Sequence, residues 1–85
     1  SLEQMAAAAD LPPEQRAAMI EGMVARLAER LKQMPDDAEG WLRLARAYRV
    51  MGRTQDARAA LERAAALLPD DPRVVAEKQA LGAGG

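Results

Sequence analysis

The sequence contains no cysteine, no histidine, no asparagine and no phenylalanine. Each absence removes a class of chemistry or structure. Without cysteine there is no disulfide frame, no thiolate nucleophile and no zinc–thiolate site. Without histidine the commonest general base and metal ligand are gone, and neither a Ser–His–Asp nor a Cys–His arrangement can be built. Side-chain hydroxyls are limited to Ser1, Tyr48 and Thr54. Only carboxylates, lysine and arginine remain for catalysis, so the reading is a protein that is not an enzyme and uses no cofactor. The formal net charge is −1, which gives no bulk attraction to nucleic acid or to an anionic membrane. No apolar run is long enough to cross a bilayer, and no signal peptide is recognisable. Ser1 and the glycine-rich 82–85 read as cut points in a longer chain.

Helix formers fill the space left by these absences. Of the 85 residues 49% are hydrophobic, and alanine alone supplies 20 residues. Such a composition favours helices and disfavours strands. The triplet Pro-Asp-Asp occurs at 35–37 and again at 69–71, an offset of 34 residues. This period divides the chain into a leading part, one full unit (38–71) and a tail.

Helix signals fit that division. Leu2–Ala9 has helix propensity but little apolar face, and Asp10-Leu11-Pro12-Pro13 breaks it. Pro13 opens a helix over 14–34, in which Ile20, Val24, Leu27, Leu31 and Met34 form one apolar stripe. Met19 and Met23 widen it, and Pro35 ends the helix. Asp36 or Asp37 caps a helix over 38–51, with Trp41, Leu44, Ala45, Tyr48 and Met51 on its apolar side. Gly52 is its left-handed stop. Thr54 caps a third helix, which runs through Ala57, Ala60, Leu61, Ala64 and Leu67 to about Leu68 before Pro69. Asp71 and Pro72 open a short fourth helix over 72–81, which Gly82 stops. The fold class is therefore all-α: antiparallel helix hairpins, with one full repeat, a preceding helix and a short C-terminal capping helix. The whole is one domain, with 1–13 as a leading segment and 82–85 as a tail.

The full unit reads Trp41-x2-Leu44-Ala45-x2-Tyr48, then Gly52, Ala57-x3-Leu61, Ala64 and Pro69. It resembles the tetratricopeptide (TPR) repeat, with Ala45 in place of the usual glycine and Leu61 in place of phenylalanine. Shifted back by 34, Leu27 and Pro35 fall on Leu61 and Pro69, so the 14–34 helix resembles the second helix of a repeat. A longer run is similar to the periplasmic TPR region of cytochrome c biogenesis factors of the CycH/CcmI type. It spans Pro13-Glu14-Gln15-Arg16 through Ile20-Glu21-Gly22-Met23-Val24, and Pro35-Asp36-Asp37 through Trp41 to Tyr48. That resemblance implies a non-catalytic, chaperone-like module of a membrane-anchored parent. It would hold the C-terminal helix of apocytochrome c in the periplasm. A cytoplasmic TPR adaptor unrelated to haem and a self-association module are the alternatives.

Between 39 and 53 there are four arginines and one acid, whereas 1–37 carries seven acids and four bases. The first helix of a TPR unit lines the groove of the array, which places Glu39, Leu42, Arg43, Arg46, Arg49 and Val50 as the candidate peptide-binding groove. The arginines suit a client's carboxylates, and Leu42 and Val50 suit an apolar helix face. The same arginines also fit a solvated face, paired to Glu39 or to acids on neighbouring helices. A chaperone-tail clamp needs lysine and asparagine where Leu42 and Arg46 stand, so the pattern departs from it. Trp41 and Tyr48 are read as core, the Asp pairs as caps rather than metal ligands, and the methionines as core filler.

Overall fold

Proline and glycine punctuate the chain. The computed structural model describes residues 10–84, and the Ala-rich stretch of the leading segment lies outside them. Four helices follow in order: α1 (Pro13–Gln33), α2 (Ala38–Val50), α3 (Thr54–Leu67) and α4 (Pro72–Gly84). Pro13 occupies the first helical position of α1, where its missing N–H costs nothing. Asp37 caps α2, its Oδ1 accepting from the Gly40 N–H at 3.0 Å. Gly52, at φ +80°, turns the chain out of α2. Asp71 accepts from the Arg73 N–H at 2.8 Å at the start of α4.

Two boundary expectations need correction. Thr54 is not a cap: it is the first residue of α3, and Arg53 precedes it without a side-chain cap bond. An ion pair between Arg53 and Asp56 at 2.8 Å holds this turn. Nor does Gly82 stop α4, which continues through 82–84 instead of ending at 81. Gly82 lacks the positive φ of a helix stop, and buried Leu81 anchors that turn.

The core lies where α2 and α3 meet. Leu44, Ala45, Ala57, Ala60, Leu61 and Ala64 are all at most 3% exposed. Alanines on facing helices let the backbones approach closely. Trp41 fills the thick end, with its indole N–H donating to the Pro35 carbonyl at 2.8 Å. α4 packs against both α3 and α2, contributing Val74 and Leu81 to the same core. α1 packs on α2 alone among the described helices. Its stripe is therefore only partly used: Val24 and Leu31 are buried, whereas Ile20 is 41% and Met34 55% exposed. The contact centres on Gly40, where an added Cβ would stand 2.6 Å from both Leu31 Cδ2 and Asp37 Oδ2.

Candidate functional site

α2 presents Arg46 and Arg49 toward α4, and α4 answers with one carboxylate. Glu77 is 5% exposed. Arg46 donates from Nε to Glu77 Oε1 at 3.1 Å. Arg49 donates from Nε to Oε2 at 2.9 Å and from Nη2 to Oε1 at 3.4 Å. Burial pushes the Glu77 carboxyl up, but the hydrogen bonds and charges of Arg49 and Arg46 outweigh it, and the group sits below the ordinary glutamate range. The hydrogen bonds that Arg49 donates to Glu77 in turn raise Arg49.

A second cluster joins the starts of the same helices. Arg73 donates to Glu39 from Nη1 at 2.7 Å, and to Asp71 from Nε at 3.0 Å and Nη2 at 2.7 Å. The fork on Asp71 is bidentate, the strong geometry for this pair. Hydrogen bonds from Arg73 hold Asp71 at about 2.

Of the six residues expected to line the groove, five are exposed or half-buried and one is buried. Glu39, Arg43 and Arg46 are exposed, Arg49 is half-buried and Val50 is 74% exposed. Leu42 is 6% exposed and belongs to the core cluster with Val74 and Leu81, so it offers no apolar contact to a client. Of the alternatives open for the arginines, pairing to a neighbouring helix holds for Arg46 and Arg49. Arg46 still has a side chain 61% accessible, and its guanidinium engages Glu77 through Nε alone. The face thus combines cations held in place from behind with an apolar end at Val50.

Glu77 and Arg73 were not among the expected site residues. The 34-residue offset carries a signal for both. Arg73 falls on Glu39 and Glu77 falls on Arg43, so charge inverts at equivalent positions of successive units. Arg73 meets Glu39 across adjacent first helices, whereas Glu77 meets Arg46 and Arg49 rather than its equivalent Arg43.

Trp41 and Tyr48 do not form a stacking platform. Trp41 is buried, with the Arg63 guanidinium 5.0 Å from its ring centre, and Arg53 sits 4.7 Å from that of Tyr48. Asp37 and Asp71 act as caps, and no metal-type cluster of acidic residues occurs among the described residues. No described helix is long and apolar enough to cross a membrane.

Helix pairs stacked at a 34-residue period, with a charged face on the first helices, define a repeat protein of the binding type. Residues 24–81 match the family model of the tetratricopeptide repeat, and the chain belongs to that family. Among curated proteins it is similar to cytochrome c-type biogenesis protein CycH of Bradyrhizobium diazoefficiens, 62% identical over 50 residues, covering 59% of this chain and 14% of that protein. The CycH proteins of Rhizobium meliloti and Pseudomonas aeruginosa are 47% and 42% identical, covering 67% and 68% of this chain and 15% and 14% of theirs. The chain thus spans only a small part of the relatives it matches. No solved structure gives a significant match.

Proposed function

We propose that this chain is a non-catalytic protein-interaction module of a cytochrome c biogenesis factor. Its family and its similarity to the CycH proteins support that reading. The client we propose is the C-terminal helix of an apocytochrome c, held in the periplasm as part of a membrane-anchored parent. The observation that carries the site is the arginine face of α2. Arg46 and Arg49 are oriented by Glu77 while Arg46 remains largely open to solvent. Arg43 and Arg46 stand one helical turn apart, a spacing suited to acidic side chains along one face of a client helix. Val50 supplies the apolar contact at one end, and Glu39, tied to Arg73, bounds the other.

Calorimetric titration with a peptide of the C-terminal helix of a c-type apocytochrome, beside a scrambled control, tests the reading. Selective binding that weakens with salt is expected. Arg43→Glu should abolish it and leave the unfolding midpoint unchanged, because Arg43 is exposed. Arg49 is a poor probe, since its removal leaves the buried Glu77 short of a partner. Equal binding of the scrambled peptide, or none of either, overturns the client assignment and favours a TPR adaptor unrelated to haem.

A further inference from the structure

Every position of α2 is buried or half-buried except four. Glu39, Arg43, Arg46 and Val50 are exposed, and they follow one another at steps of four, three and four residues. That spacing sets them on one stripe of the helix. Along α2 the stripe runs acid, base, base, apolar. At about 1.5 Å of rise per residue, Glu39 and Arg46 stand about 10 Å apart, and Val50 lies about 6 Å further on.

The ion pairs to α4 do not erase this order. At the start of the stripe Arg73 faces two carboxylates, Glu39 and Asp71, and spends all three guanidinium nitrogens on them. One negative charge is left over. Asp71 accepts through both oxygens and its side chain is 17% exposed, whereas Glu39 accepts through Oε2 and is 59% exposed, so the surplus is presented at Glu39. Further along, Glu77 faces two guanidinium groups, and one positive charge is left over. Arg49 spends Nε and Nη2 on Glu77 and is 33% exposed. Arg46 spends Nε alone and is 61% exposed, so this surplus is presented at Arg46. Arg43, between the two clusters, forms no ion pair among the described residues and adds a second positive charge.

We propose that the α2 stripe is specific for a partner helix of the opposite order: a base, two acids and an apolar side chain, at the same steps of four, three and four. An all-acidic helix, which the arginines alone would favour, meets a like charge at Glu39. The steps read the same from either end, so the order of charges is fixed and the direction of the partner chain is not. The proposal rests on α2 being the binding face and does not depend on the client being a cytochrome.

Calorimetry at low salt with designed helical peptides, free of any cytochrome sequence, tests this. Two matched peptides carry Lys-Glu-Glu-Leu and Leu-Glu-Glu-Lys at those steps, one for each chain direction. In their all-acid counterparts glutamate replaces the lysine. The tighter matched peptide should bind about three- to tenfold more tightly than its counterpart. Glu39→Lys should invert that ranking and Glu39→Gln should level it, both with unchanged helicity because Glu39 is exposed. Arg43→Glu should weaken every peptide. An all-acid peptide that binds as tightly as its matched counterpart, or a ranking that Glu39→Lys leaves unchanged, overturns the charge order; if Arg43→Glu still weakens binding, the α2 face itself stands. If no peptide binds at millimolar concentration, or Arg43→Glu changes nothing, α2 is not the binding face and the proposal falls with it.

Discussion

Glu77 is a buried carboxylate that two arginines keep ionised, and its pKa lies below the ordinary 4.5. A carboxyl whose folded pKa is depressed adds stability above its unfolded value, and that stability drains as pH falls through the folded value. Asp71, moved from 3.8 to about 2, acts in the same direction over a lower window. The urea midpoint should therefore be level above about pH 5 and fall below it. Glu77→Gln should start lower and fall less steeply; equal acid slopes for the two chains would contradict the assignment. Trp41→Ala removes a ring that is 7% exposed and should cost about 3–5 kcal/mol in denaturant unfolding. Gly40→Ala should cost about 1–3 kcal/mol, because Leu31 is fully buried and cannot move aside freely. At this scale the sequence revealed features that rest on near neighbours, such as an aspartate cap at 36 or 37, which the structure assigns to Asp37, and the core role of Trp41. It did not reveal Leu42, because the pattern of one helix cannot include the α4 core residues that cluster with it.

Helix boundaries were legible wherever proline or a left-handed glycine imposes them. Pro35 and Pro69 lie just past the ends of α1 and α3, and Gly52 turns the chain after α2. Gly52→Ala places a Cβ at φ +80° and should cost about 1 kcal/mol with helix content unchanged, measurable as a shift in urea midpoint. The misplaced boundaries have a different origin. Thr54 and Gly82 are residue types that cap and stop helices, but the first lies inside a turn carrying the Arg53–Asp56 ion pair and the second follows buried Leu81. Propensity is a weak prior where a tertiary anchor is one residue away.

Protection should be uneven across the molecule. α2 and α3 share most of the alanine core, α4 adds Val74 and Leu81, and α1 rests on α2 through its second half. Amide exchange should be slowest in α2 and α3 and fastest over 13–22 of α1, where no described residue is buried. Uniform protection across all four helices would contradict this order. The repeat could be read from the 34-residue period and its motif positions, and the all-α architecture from composition and helix signals. The arginine face was read in part: its cations were visible as a local excess of charge. The carboxylate that organises them sits one unit further along the chain, outside the span over which that excess was counted.

The pairing of Glu77 with α2 also limits how this array can be rearranged. Repeat proteins grow by copying a unit and inserting it beside its parent. A second copy of 38–71 placed after the first would bring Arg43 to the place Glu77 now holds, facing Arg46 and Arg49. Three guanidinium groups would then converge where one buried carboxylate now neutralises two. The order of units in this chain is written into its charges, and a faithful duplication of its best-formed repeat would replace an ion pair at the joint with like charges.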